Sequence, residues 1–262
     1  MHQLVIVGGG RMGEALLGGL LAAGRPADDL AVVEPSADRR QALEARFPGV
    51  TTSPSPLSAE GLVLAVKPAT AAAAAQAAGQ AGCGRVLSIA AGVTIVALEA
   101  ALPPGTPVVR AMPNTPALIG AGAAAVAAGT AAGEDDLAWA EGVLGAVGIV
   151  VRVDEALLDA VTGLSGSGPA YVFLVAEALI DAGVLVGLPR DVASTLAVQT
   201  LLGSARLLAE GGDGPEVLRA AVTSPGGTTA AGLAVLEDRA VRAAFLSAVR
   251  AATERSRALG AT

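Results

Sequence analysis

The feature that most constrains the fold is a glycine motif between a predicted strand and a predicted helix near the start of the sequence. The apolar run Leu4–Val7 leads directly into Gly-Gly-Gly-Arg-Met-Gly at 8–13, and a helix-like segment follows over 14–23. Glycines spaced as G-x-G-x-x-G in this setting are typical of a turn that binds the pyrophosphate of a dinucleotide. A glycine-rich turn without a ligand is the alternative.

Each glycine of the motif has its own predicted role. Gly8 makes the tight turn, Gly10 lets the backbone approach a pyrophosphate, and Gly13 lets the helix pack on the strand. The free N–H groups and the dipole at the start of the helix favour phosphate. We therefore expect a dinucleotide at this turn.

An acidic residue after the second predicted strand leaves the choice of dinucleotide open. Glu34 follows the strand 30–33, and an acid about 20 residues after the motif usually binds the ribose 2′-hydroxyl of NAD. Ser36, Arg39 and Arg40 follow immediately and could instead receive the 2′-phosphate of NADP. The sequence pattern supports both cofactors.

The distribution of strands and helices divides the chain into two parts. Seven apolar runs are predicted strands, at 4–7, 30–33, 61–66, 85–89, 108–110, 123–127 and 149–153. Their alternation with helical patterns indicates a mostly parallel α/β sheet. Beyond Asp154 we find only helical patterns, at 155–163, 169–186, 191–210, 214–222, 228–236 and 239–258.

Composition excludes several classes of function. Cys83 is the only cysteine and His2 the only histidine, so we expect no disulfide, no Cys/His metal site and no His-dependent nucleophile. A net charge of −7 without a basic cluster argues against nucleic acid and anionic membrane as partners. Residues 111–133 are uncharged but contain prolines and glycines, so we do not expect a membrane span there. We also expect no signal peptide at the N-terminus.

Two further stretches carry unusual glycine patterns. Asp159–Tyr171 reads D-A-V-T-G-L-S-G-S-G-P-A-Y, and its small residues let a helix or a ligand come close to the backbone. Val222–Thr229 reads V-T-S-P-G-G-T-T ahead of a predicted helix, a pattern suited to binding a small carboxylate. A tight helix crossing and a capped loop are the respective alternatives.

Taken together, these stretches resemble the pyrroline-5-carboxylate reductase family, the last enzyme of proline biosynthesis. The resemblance follows the chain in order and rests on the segments 8–13, 65–68, 110–116, 159–171, 187–190 and 222–229. It implies a Rossmann-like domain over 1–154 and an all-helical substrate-binding and dimerisation domain over 155–262. It implies a cytoplasmic homodimer, with dimers assembling into a decamer, and reduction of 1-pyrroline-5-carboxylate to L-proline by NADPH or NADH, with NADPH slightly favoured.

The resemblance also assigns site residues. The cofactor is held by Gly8, Gly10, Arg11, Met12, Gly13, Glu34, Ser36, Ala65, Val66, Lys67, Pro68 and Ala91. The substrate is held by Glu155, Ser224, Gly226, Gly227, Thr228 and Thr229, with the Thr229 hydroxyl directed at the imine nitrogen. Glu34 departs from the small or neutral residue more common in the family, and Ala221 replaces a polar residue seen in some members.

Two other functions share parts of this pattern. A related imine or 3-hydroxyacid dehydrogenase would have a similar two-part plan, but such enzymes usually rely on a lysine or aspartate in the helical part, and this chain has no lysine after Lys67. A non-catalytic dinucleotide-binding regulator is the other alternative. Reduction of an electrophilic cyclic imine needs positioning rather than a nucleophile or metal, which suits the residues available.

Overall fold

A computed structural model of the chain describes residues 2–260. Within that range the strands are His2–Val7 (β1), Leu30–Val33 (β2), Thr51–Ser53 (β3), Ala59–Leu64 (β4), Cys83–Ser88 (β5), Val108–Met112 (β6), Gly122–Ala128 (β7) and Gly148–Arg152 (β8). The helices of the α/β part are Arg11–Ala22 (α1), Ala37–Arg46 (α2), Pro68–Ala81 (α3), Ile95–Ala101 (α4) and Glu134–Gly145 (α5). The later helices are Leu158–Val161 (α6), Gly168–Leu185 (α7), Arg190–Glu210 (α8), Pro215–Ala221 (α9), Thr228–Asp238 (α10) and Val241–Gly260 (α11).

The strands form one sheet in the order β3-β2-β1-β4-β5-β6-β7-β8. All neighbours pair in parallel except β6 and β7, which are antiparallel. The predicted mostly parallel α/β fold is therefore confirmed. The direction of winding reverses between β1 and β4, and in such sheets ligands bind at that point, beyond the carboxyl ends of the strands.

Most residues of the central strands are apolar because both faces of the sheet are covered. Along β1, Leu4 and Ile6 pack with α1 and α5 residues such as Leu17 and Leu144. Val5, between them, packs on the opposite face with Leu98 of α4 and alanines of α3. Successive strand side chains point to opposite faces, so a strand buried on both sides reads as a continuous apolar run.

The seven predicted strands are all present, with ends displaced by at most two residues. The strand β3 was missed because it has three residues, Thr51-Thr52-Ser53, and lies at the edge of the sheet without an apolar pattern. The predicted helices 169–186, 191–210, 214–222, 228–236 and 239–258 are confirmed, with small shifts at their ends. The predicted helix 155–163 is instead a 3-10 turn over Glu155–Leu157, the short α6 and the start of a π-helical turn.

The glycine-rich stretch near 163–169 changes the type of helix. After α6 the backbone forms a π-helical turn over Thr162–Gly166, where Ser167 N donates to Thr162 O at 2.8 Å. A Cβ on Gly166 would lie 2.7 Å from Met112 Cε, the flexible end of a side chain from β6, so this side chain would have to move to admit a larger residue. The neighbour at Gly166 is thus a side chain from a strand, and the predicted approach of a helix or a ligand to this stretch stays a prediction.

Contacts divide the chain into two compact units. The second unit is Gly168–Val249, and the first consists of the described residues on either side of it. The C-terminal part of α11 thus belongs to the first unit, where Ser256 Oγ donates to Asp159 Oδ1 at 2.6 Å. These compact units differ from the predicted division between residues 154 and 155, which stays a prediction about function.

Candidate functional site

The glycine loop lies at the carboxyl end of β1, where the sheet reverses its winding. Gly8 N donates to Val33 O and Ala65 N donates to Val7 O, both at 2.8 Å, so the loop starts fixed between β2 and β4. Gly8 has φ +107°, and a Cβ there would lie 2.5 Å from Ala65 O. A Cβ on Gly13 would collide with the Gly8 carbonyl. Both positions therefore require glycine.

Gly10 is different because it faces open space. A Cβ built on it meets no atom within 4 Å. It is the N-cap of α1, which has no side-chain cap, so the first N–H groups of the helix are available to a phosphate. Arg11 is exposed beside it, and Met12 packs against the core. The loop thus has the shape and the donors that a pyrophosphate requires.

Glu34 is joined directly to the glycine loop. Its Oε2 accepts from Gly9 N at 3.0 Å and its Oε1 accepts from Ser36 N at 2.9 Å. Ser36 in turn caps α2, with Oγ accepting from Arg39 N at 3.4 Å. Arg40 Nη1 donates to the carbonyls of Glu34 and Pro35, both at 2.8 Å. The structure therefore brings the predicted adenosine end of the site together with the loop.

The predicted wall beyond the loop follows β4 and β5. Ala65 and Val66 are half-buried, while Lys67 is exposed as the N-cap of α3, with Pro68 at the first helical position. Pro68 and Ala91 both line a cavity of about 690 Å³. Its other walls include hydroxyl and guanidinium side chains from the same unit, among them Thr94, Thr162, Ser167 and Arg255.

Glu155 is tied into the first unit. Its Oε1 accepts from Arg110 Nη1 at 2.8 Å and from Ile95 N at 2.7 Å. Arg110 is buried, so this carboxylate balances a buried positive charge and also caps α4. Sequence reasoning missed the role of Arg110 because nothing in the sequence links residues 45 positions apart. The prediction that Glu155 contacts substrate stays a prediction.

Asn114 has a structural role within the R-A-M-P-N-T-P segment, whose residues have no individual roles in the sequence analysis. Its Nδ2 donates to Ser165 O at 3.0 Å, and its Oδ1 accepts from Ala123 N at 2.9 Å. The side chain thus connects the π-helical turn to the start of β7. Its amide N–H thus satisfies the Ser165 carbonyl in a turn whose backbone hydrogen bonds differ from those of an α-helix.

The predicted substrate loop lies in the second unit and leads into α10. Ser224–Gly227 forms a turn in which Gly227 N donates to Ser224 O at 3.0 Å, with Gly226 at φ +68°. A Cβ on Gly227 would collide with Ser224 Oγ. The helix then begins at Thr228 without a side-chain cap. Its first N–H groups, which have no intrahelical acceptor, are available to an anion.

Comparison with known proteins identifies the family. A family model described as pyrroline-5-carboxylate reductase dimerisation matches residues 155–259, and one described as coenzyme F420-dependent NADP oxidoreductase matches residues 3–92. The chain is 48% identical over 264 residues to the pyrroline-5-carboxylate reductase of a Synechocystis species, covering 98% of each.

Solved structures give the same result. The chain superposes on a pyrroline-5-carboxylate reductase from Coxiella burnetii with a TM-score of 0.94 and 36% identity, covering 100% of this chain and 99% of that one. It also matches the pyrroline carboxylate reductase of Plasmodium falciparum, solved with NADP bound, with a TM-score of 0.85 and 31% identity, covering 99% of this chain and 98% of that one.

Proposed function

This chain belongs to the pyrroline-5-carboxylate reductase family, and from that premise we propose how its residues divide the reaction between them. The reaction is the reduction of 1-pyrroline-5-carboxylate to L-proline by NADPH or NADH. When bound, the nicotinamide cofactor supplies the hydride. The protein has to hold both reactants with the imine carbon close to the nicotinamide and has to steady the ring nitrogen.

The cofactor is held by the first unit. The N–H groups at the start of α1, with Gly10 and Arg11, hold the pyrophosphate, and Glu34 and Ser36 meet the adenosine ribose. Ala65, Val66, Lys67, Pro68 and Ala91 form the wall beside the nicotinamide ribose. The open space at Gly10 and the close approach of Gly8 to Ala65 support this assignment.

The substrate is held by the loop Ser224–Thr229, and the uncapped start of α10 is the observation that carries this assignment. The exposed N–H groups of residues 226–229 bind the carboxylate, and the Thr229 hydroxyl hydrogen-bonds the ring nitrogen. Hydride adds to the imine carbon, the nitrogen takes a proton from solvent, and the C=N bond becomes the C–N bond of proline. We also assign Glu155, which accepts a hydrogen bond from Arg110, to substrate binding.

The helical region assembles with a second copy. Two helical stretches, Glu155–Leu185 and Arg190–Glu210, are long and apolar enough to cross a membrane by length and composition alone. Both lie within the segment that matches the dimerisation family model. We assign their exposed apolar faces to a homodimer interface, with dimers forming a decamer, rather than to lipid.

The functional division of the chain is 1–154 for cofactor and 155–262 for substrate and assembly, which the family match over 155–259 supports. The enzyme works in the cytoplasm, where its nicotinamide cofactors are regenerated, and binds neither nucleic acid nor membrane.

Absorbance at the NAD(P)H band tests the function. Adding 1-pyrroline-5-carboxylate to the purified protein with NADPH, and separately with NADH, should oxidise the cofactor and yield proline. Cofactor binding without oxidation of either nucleotide would favour the regulatory alternative.

A further inference from the structure

Four charged side chains lie beside the glycine loop and are linked to it or to one another: Glu34, Arg39, Glu14 and Arg46. Arg39 Nε donates to Gly9 O at 2.5 Å, and its Nη2 forms an ion pair with Glu14 Oε2. Glu14 Oε1 also pairs with Arg46 Nη1 at 2.5 Å. Glu34, on the other side of Gly9, accepts from the amide of that glycine. Gly9 thus binds an acid through its N–H group and an arginine through its carbonyl.

These two residues have opposite preferences for the ribose. A carboxylate accepts hydrogen bonds from a 2′-hydroxyl but repels a 2′-phosphate, while a guanidinium binds phosphate through paired N–H groups. Of the two arginines that could do this, Arg40 Nη1 donates to the backbone carbonyls of Glu34 and Pro35, while Arg39 borders the glycine loop. The Nε and Nη2 of Arg39 are engaged by Gly9 O and Glu14. Whether Arg39 can bind the 2′-phosphate of NADPH therefore depends on how firmly Glu14 holds its guanidinium.

We propose that Glu14 is a specificity-determining positioning residue: by holding Arg39 against the glycine loop, it leaves the ribose to Glu34 and favours NADH over NADPH. The proposal rests on the cofactor site described above. Glu14 does not touch the ribose itself and acts only through Arg39.

The environment of Glu14 makes it effective in this role. Its side chain is 16% exposed, against 33% for Arg39 and 68% for Arg46. A carboxylate with little solvent around it interacts more strongly with a nearby charge than a surface carboxylate does. Glu14 also lies in the first turn of α1, where the helix dipole favours an acid. Arg46 contacts the same carboxylate without contacting the loop, which provides a matched control.

The test uses the full chain and the variant Glu14→Gln, which removes the charge and keeps the shape. Fluorescence titrations with NADH and NADPH, without substrate, give the ratio of their dissociation constants. We expect Glu14→Gln to shift that ratio toward NADPH by about tenfold, the size expected for one freed arginine–phosphate contact. Arg46→Gln should leave the ratio unchanged. In an Arg39→Gln background, Glu14→Gln should no longer shift it.

Three results would overturn the proposal. They are an unchanged ratio in Glu14→Gln, an equal shift in Arg46→Gln, and a shift that persists without Arg39. Glu14→Asp, which keeps the charge at the helix start but shortens its reach, should shift the ratio in the same direction and serves if the Gln variant does not fold. Because these titrations need no turnover, they can fail or succeed independently of the reductase assignment. The ratio of kcat/KM for the two cofactors then checks the same shift during catalysis.

Discussion

At the scale of single residues, Gly8 and Gly10 stand two positions apart in one loop under different constraints. Gly8 combines φ +107° with a neighbouring carbonyl 2.5 Å from the position of a Cβ, whereas Gly10 has φ −69° and open space. Gly8→Ala should therefore lower the free energy of unfolding by more than about 2 kcal/mol. Thermal or denaturant unfolding of the purified variant measures this.

Gly10→Ala is the matched control, and we expect it to reduce cofactor affinity but not stability. Its unfolding free energy should stay within about 1 kcal/mol of wild type, because the backbone angles suit alanine and nothing collides. Cofactor affinity should fall at least about tenfold, since the methyl group occupies the space meant for the pyrophosphate. Normal cofactor affinity in Gly10→Ala would contradict the placement of the pyrophosphate.

Thr229 tests the substrate end of the site. Thr229→Val removes the hydroxyl and keeps the shape, so kcat/KM for 1-pyrroline-5-carboxylate should fall about tenfold to a hundredfold, the effect of one lost hydrogen bond to a polar or charged group. Thr229→Ser should retain most of the activity. Cofactor titrations should be the same for all three proteins, and unchanged turnover in Thr229→Val would remove Thr229 from the mechanism.

Backbone constraints could be predicted from the sequence, whereas long-range side-chain contacts could not. Gly8 and Gly13 were predicted correctly as positions that require glycine, because glycine spacing reports backbone geometry directly. Glu14, whose carboxylate pairs with residues 25 and 32 positions away, gives no local signal. The same holds for Arg110 and Asn114. Polar contacts across elements depend on the packing of the whole sheet, which no window of sequence contains.

At the scale of elements, the junction between α10 and α11 contains a residue suited to replacement. Ala240 has φ +54°, a left-handed conformation that favours glycine. Its N–H donates to Glu237 O at 2.9 Å, which closes α10, and its carbonyl accepts from Ala244 N, which opens α11. Ala240 is thus the residue after the helix end where glycine is most common.

Ala240→Gly should stabilise the protein by about 0.5–1 kcal/mol, which corresponds to a rise in Tm of about 1–3 °C. The control is Ala251→Gly, at an exposed position inside α11, which should lower stability by about 0.5–1 kcal/mol. A fall in Tm for Ala240→Gly would contradict the strained conformation at this junction.

The element pattern itself was predictable from apolar runs and from the glycines and prolines that separate them. Strands buried on two faces give apolar runs such as Leu4–Val7, and glycine or proline marks many helix starts. The type of turn at Thr162–Gly166 was not predictable, since glycines there are compatible with a break, a bend or a π-helical turn. The observed form depends on Asn114 and Met112, which come from a different part of the chain.

At the scale of the whole molecule, the helical region has more exposed apolar surface than a monomer would retain. Phe173 and Leu174 of α7 and Leu202 of α8 are each more than half exposed. Native mass spectrometry should therefore give an even multiple of the chain mass. Phe173→Glu combined with Leu202→Glu should shift the protein toward monomer and abolish reductase activity.

Val96→Glu is the matched control for this experiment. Val96 is also exposed and apolar, but it lies on α4 of the first unit, outside the segment that matches the dimerisation family model. The variant should keep the mass of the wild-type assembly. A wild-type protein that is monomeric at micromolar concentration, or a double variant that keeps its assembly, would contradict the assignment of these helices to a homodimer interface.

The most direct test of the reductase mechanism follows the transferred hydride. The protein is given NADH or NADPH carrying deuterium at both C4 positions of the nicotinamide, together with 1-pyrroline-5-carboxylate, and the product is examined by mass spectrometry and NMR. Direct transfer to the imine carbon predicts proline with one deuterium at Cδ and none elsewhere. Cofactor oxidation without proline, or proline without deuterium at Cδ, would contradict the proposed reaction.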